Sequence, residues 1–306
     1  MDFKEKRIEY ISKWPNVEKF NVEIQYEKLL ERNIDGDECF KGFTFEYSND
    51  IAYNKALSFI VDSLDMMPRN PNFAFQFIFK GIDIYSNSLF GGNFTNRLQN
   101  ISTGFLFDLL NKNEKFKSVF NNLYGCMPNT TCKYLYSRLY KDYNQQEGFN
   151  GQSSNLTRQL LSRLKIDSDQ NMEILLENIF LKYRYDCKSI REGSRLIYKI
   201  FNSTEINLNS YENFQILELY KLRLLICGIL YTMRNDNIHG SSISSFKSSK
   251  STLKTYAHSY YCFLSSYIVL TLLLVNDHDK FEEELINNFN YNINIFKNIF
   301  KNILLK

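Results

Sequence analysis

Near the C-terminal end of the chain, the run Arg234-Asn235-Asp236-Asn237-Ile238-His239-Gly240 places an arginine, an amide and a histidine close together. A neutral imidazole with an ordinary pKa of about 6.5 can accept a proton at neutral pH. A guanidinium stays charged and can hold a phosphate oxygen through two N–H groups as negative charge builds on it. Asn235 could orient either partner. These types suit cleavage of a phosphodiester that carries its own nucleophile, the 2′-hydroxyl of RNA. His239 would act as general base, Arg234 would hold the phosphate, and no metal would be needed. The products would end in 2′,3′-cyclic phosphate and 5′-hydroxyl, and DNA would be inert.

Arg234 and His239 are five positions apart, about 140° around an unbroken helix. They converge only if the helix ends or distorts between them. Asn235, Asp236 and Asn237 are poor in helix interiors, and Gly240 supplies a flexible stop. The plainer alternative is that Arg234 caps carbonyls at a helix end and His239 is a loop histidine.

The elements that must position this run lie within residues 211 to 276. The pattern predicts a helix over 212–233 whose charges, Glu218, Lys221 and Arg223, fall in its first half. LLICGILYTM, residues 224 to 233, is charge-free and needs cover on every side, from a bundle or from a partner chain. Gly228 within it reads equally as a point of close helix approach or as a tolerated small residue. A second apolar helix follows the motif. Its uncharged stretch, 260–275, is shorter than the roughly 20 residues of a membrane span, so a buried bundle helix is expected.

RNDNIHG resembles the Arg-Asn-x-x-x-His signature of the HEPN superfamily, small helical bundles of which many cut RNA. The resemblance covers the motif and its flanking helices, roughly residues 155 to 306. It implies Arg234, Asn235 and His239 as site residues and a homodimer in which two motifs face each other. It also implies a setting in toxin, anti-phage or CRISPR-linked defence, with an antitoxin or defence-system partner. Some relatives have lost the motif and only bind; this chain retains it.

The whole sequence fits an all-α protein: a HEPN-type bundle over 151–306 behind a mostly helical region over 1–150. Gly and Pro are scarce at 12 and 4 residues, which disfavours turn-rich β folds. CFKGFTFEY, residues 39 to 47, alternates loosely enough for one short strand. Helices are expected over 51–66, from Pro71 onward, over 98–124, 132–143, 155–165, 172–185, 188–201 and 280–305. EGFNGQSSN, residues 147 to 155, is the best linker candidate, unless one bundle runs through it.

A net charge of +3 does not by itself announce a nucleic-acid binder. Basic surface must be local, and Lys247, Lys250 and Lys254 beside the motif are candidates to guide RNA, with a solvated loop as the plain alternative. Arg184, Arg191 and Arg195 could extend that surface. His258 reads as a core or interface histidine within reach of the site. Asp277, His278 and Asp279 look like a helix start rather than a metal site. The six cysteines lack paired spacing, and the charged N-terminus lacks an apolar leader, so a cytoplasmic protein with reduced thiols is expected. No cofactor and no membrane contact are expected, and P-loop, dinucleotide, GxSxG and HExxH motifs are absent. The leading expectation is a metal-independent endoribonuclease. The alternatives are a catalytically silent helical module binding RNA, a nucleotide or a protein, and a structural subunit of a larger complex.

Overall fold

A computed structural model describes residues 3–33, 39–146, 155–165, 169–183, 189–209, 211–238 and 244–304. The chain is predominantly all-α. The helices are α1 (Phe3–Ser12), α2 (Asn21–Asn33), α3 (Ile51–Met66), α4 (Pro71–Phe90), α5 (Phe94–Gln99), α6 (Leu106–Lys112), α7 (Glu114–Gly125) and α8 (Asn129–Gln146). They continue with α9 (Asn155–Leu164), α10 (Gln170–Leu181), α11 (Ser189–Asn202), α12 (Glu218–Arg223), α13 (Tyr231–Ile238), α14 (Leu253–Leu274) and α15 (Glu282–Leu304). Two-residue strands, β1 (Glu205–Ile206) and β2 (Phe214–Gln215), pair antiparallel.

Local signals explain several boundaries. Asp50 caps α3 by accepting from the Tyr53 N–H at 2.6 Å. Asn70 does the same for α4, whose first residue is Pro71, where a missing N–H costs nothing. Asn113 divides the expected 98–124 helix, because its carboxamide caps α7 through the Lys115 and Phe116 N–H groups. The predicted 212–233 helix begins later, at Glu218, because Phe214 and Gln215 are engaged in the small ladder.

α14 is the axis of the molecule. Residues 256 to 275 are all buried, and α2, α4, α8 and α15 pack around it. It is long and apolar enough to cross a membrane, but 94% of its apolar window is covered by the chain itself. Gly81 of α4 lets the two helices close up, since a Cβ there would lie 2.7 Å from a Leu270 methyl.

Residues 39 to 47 are not a strand. Side chains of α14 and α15 take backbone groups of Cys39, Lys41 and Phe43. Tyr260 donates to the Cys39 carbonyl at 2.6 Å, and Tyr267 accepts from the Phe43 N–H at 2.6 Å. Asn292 both accepts from the Lys41 N–H and donates to its carbonyl, each at 2.8 Å. With those partners in place no second strand is needed.

The expected 147–155 linker lies almost wholly outside the described residues. Helices from both sides of it share one apolar core, with α4 on α14, α8 on α11 and α7 on α15.

Candidate active site

Arg234 to Ile238 form the end of α13, the last part of a continuous helix running from α12 through a π-helical stretch, Leu224–Leu230. A second π-helical stretch, Asn100–Phe105, joins α5 to α6. The two stretches meet where the Ser102 hydroxyl lies 3.9 Å from the Cys227 sulfur. Buried Arg223 donates there to Ser102 at 3.5 Å and to the Lys165 carbonyl at 2.7 Å. Leu224 to Leu230 are all buried by their own chain. A Cβ on Gly228 would stand 3.2 Å from methyls of Leu135 and Leu164, so α8 and α9 approach closely at that point. The cover that the apolar run requires comes from within the molecule, and the run therefore gives no argument for a partner chain.

The helix does not stop at Asn235. It runs to Ile238, because neighbouring elements take up the polar side chains that would otherwise compete for its own backbone. Asp236 accepts from the Tyr134 hydroxyl at 2.6 Å and pairs with Arg138, both on α8. Asn237 donates to Asn72 at the start of α4, at 3.1 Å. Thr232 accepts from buried Arg163, whose guanidinium lies 4.6 Å from the Tyr231 ring centre.

Arg234 is half-buried at this tethered end. Its Nη1 donates to the Asn235 carboxamide oxygen at 3.1 Å, and its guanidinium lies 5.6 Å from the centre of the Phe94 ring. Among the described residues no carboxylate pairs with it. Arg97 occupies the same ring at 5.0 Å and is held by the carbonyl and carboxylate of Asp83. His239 and Gly240 lie outside the described residues, as does Arg184.

His258 is a core residue. Its Nδ1 stands 2.9 Å from the Thr131 hydroxyl and 3.8 Å from the Cys262 sulfur, and Tyr134 packs on the ring at 5.2 Å. Burial pushes its pKa down to about 4, against an opposing pull from the Asp236 charge. It is therefore neutral at physiological pH. It lies behind Asp236 rather than at the surface.

Lys247 is engaged elsewhere. It pairs with Glu23 and lies 4.9 and 5.0 Å from the ring centres of Tyr10 and Phe20, which makes it a fastening for the N-terminal helices. Lys250 and Lys254 are exposed. Arg191 and Arg195 are exposed on α11, and Arg195 pairs with Glu192 at 2.8 Å. His278 donates from Nε2 to the Leu272 carbonyl at 2.8 Å in the turn before α15. Among the described residues no three His, Cys, Asp or Glu side chains gather as metal ligands would.

Sequence reasoning missed Tyr134, Arg138, Arg163, Phe94 and Asn72, which build the surroundings of the motif. Tyr134 and Arg138 are one turn apart on α8, and that spacing was the available signal; nothing local connected them to Asp236. No family model matches this chain, and neither a curated protein nor a solved structure does.

Proposed function

We propose that this chain is a metal-independent endoribonuclease in which Arg234 holds the scissile phosphate and His239 removes the 2′-hydroxyl proton. The observation that carries the reading is the state of Arg234. Its charge is seated on Phe94 and Asn235, at a helix end fixed through Asp236, with no carboxylate spending it among the described residues. A guanidinium held in that way is prepared for an incoming anion, and fixing it in advance removes a reorganisation cost from the reaction. Asn235 keeps its amide N–H groups for the substrate or the imidazole while its oxygen serves Arg234. Lys250 and Lys254 are the exposed lysines that could follow the RNA backbone.

The reading includes a cytoplasmic homodimer with two facing motifs, acting as a toxin or defence effector beside an antitoxin or defence-system partner. These parts rest on the resemblance of RNDNIHG to the HEPN signature.

The test is incubation of purified protein with total RNA in EDTA, wild type against His239→Ala. Cleavage by the wild type alone, with cyclic-phosphate ends, is expected. A wild type that binds RNA without cutting it would instead identify a silent binding module.

A further inference from the structure

α4 turns two flanks to different surroundings. On one flank Asn72 accepts from Asn237 at 3.1 Å, and Phe79 stacks parallel to Tyr231, so the first half of α4 lies along the motif helix. On the adjoining flank Phe73, Phe77 and Lys80 recur at spacings of four and three. That spacing forms one ridge rising about 10 Å along the helix from its motif end.

Phe77 lies nearly parallel to Phe59 of α3, with ring centres 6.5 Å apart and planes at 20°. The Lys80 ammonium stands over both rings, 5.1 and 5.7 Å from their centres. Phe73 is 47% exposed. Among the described residues no carboxylate pairs with Lys80. Lys55 and Asp62, about one turn either side of Phe59, are exposed.

Two kinds of occupant would cover aromatic rings on a surface. An apolar protein face would have to bury the Lys80 charge at the centre of the contact without a partner, which is costly. A single-stranded nucleic acid brings flat bases for the rings and a phosphate for the ammonium, so the same charge becomes an attraction. Arg234 on Phe94 repeats this pairing of cation and ring at the motif itself.

We infer that the Phe73–Phe77–Lys80 ridge, with Phe59 beneath it, is a track for single-stranded RNA running onto the motif. Bases stack on Phe73 and on the Phe59–Phe77 pair, and Lys80 meets the backbone. The inference takes the identity of its strand from the ribonuclease reading.

The experiment measures binding of a fluorescent 12-nucleotide single-stranded DNA, which lacks the 2′-hydroxyl, together with cleavage of the matching RNA. Full-length wild type is compared with Phe73→Ala and Lys80→Gln, both at exposed positions, after equal melting temperatures are verified. Each variant should bind about tenfold more weakly. Lys80→Gln should also reduce the salt slope by about one. Cleavage should show a raised KM with kcat largely kept. Unchanged binding and KM in folded variants would overturn the track while leaving the ribonuclease reading in place. Loss of binding in the variants of a wild type that cuts no RNA would uphold the track and defeat that reading. A wild type that neither binds nor cuts would defeat both. Variants that lose self-association while still binding the strand would show the ridge to be a protein interface instead.

Discussion

The Tyr134 hydroxyl donates a 2.6 Å hydrogen bond to the Asp236 carboxylate, across 102 positions of sequence. Arg138, one turn further along α8, pairs with the same carboxylate, and its guanidinium lies 5.5 Å from the centre of the Tyr134 ring. Asp236 falls at one of the unspecified positions of the Arg-Asn-x-x-x-His pattern, yet it ties the motif to α8, as Asn237 ties it to α4.

Asp236→Asn keeps the size of the side chain and removes the charge facing Arg138. Hydrogen bonds to charged groups contribute about 1.5–3 kcal/mol, and a loss of that size in urea unfolding is expected. Tyr134→Phe removes a hydrogen bond to the same carboxylate and should lose about 1.5–3 kcal/mol as well. If Asp236 positions the motif, RNA cleavage by Asp236→Asn should show a lowered kcat with KM nearly unchanged. Wild-type stability in Asp236→Asn would mean that the tether holds nothing in place.

His239→Ala should leave the fold intact and lower RNA cleavage by about 10²–10⁴-fold, the usual contribution of a positioned general base. Chelators should leave the wild-type rate unchanged, and the products should carry cyclic phosphate. Strict Mg²⁺ dependence or 3′-hydroxyl ends would assign the chemistry to another site.

His258 makes stability depend on pH in a definite direction. Its folded-state pKa of about 4 lies below the ordinary 6.5, so between those values the unfolded chain binds a proton that the native chain does not. The contribution is complete above about pH 6.5, and it is lost as pH falls toward 4. Its size is of order 3 kcal/mol by linkage. Comparing urea midpoints at pH 7 and pH 5 should show a steeper acid loss for wild type than for His258→Gln. Equal slopes would place the imidazole in contact with solvent.

Gly193 of α11 lies against buried Tyr136 of α8, and a Cβ there would fall 2.1 Å from the ring. Gly193→Ala must push an aromatic ring out of a packed seam, where overpacking costs about 1–3 kcal/mol. Gly125→Ala is the control, because its nearest contact would be an ordinary 3.7 Å. A melting temperature for Gly193→Ala equal to that of the control would show that the seam can yield.

Helix positions were legible because capping and periodicity are local. Asp50 before 51–66 and Asn70-Pro71 before α4 announce their helices without tertiary help. The segment 39–47 misled because its backbone partners are tyrosines and asparagines more than 200 positions away. The same holds at the site. Arg234 and Asn235 are readable as a local pattern, whereas Phe94, Arg138 and Tyr134 reach it only through packing. Lys247 illustrates the converse: a lysine beside a motif in sequence that the fold gives to Glu23.

Two motifs facing across a two-fold axis would double the donors available to one phosphodiester, and such an interface needs about 1,000 Å² or more. The apolar run 224–233 cannot supply that area, since its leucines and isoleucines are already covered by α8, α9 and the other π-helical segment. Ile229→Lys would bury an uncompensated charge and should unfold the chain, as judged by circular dichroism, rather than release folded monomers. Ile238, next to His239, is instead 52% exposed at the end of the motif helix. Ile238→Lys should therefore keep the fold, and if the motifs meet there it should shift light scattering from dimer to monomer as cleavage falls. A folded monomer that cuts RNA at the full wild-type rate would rule out the composite site.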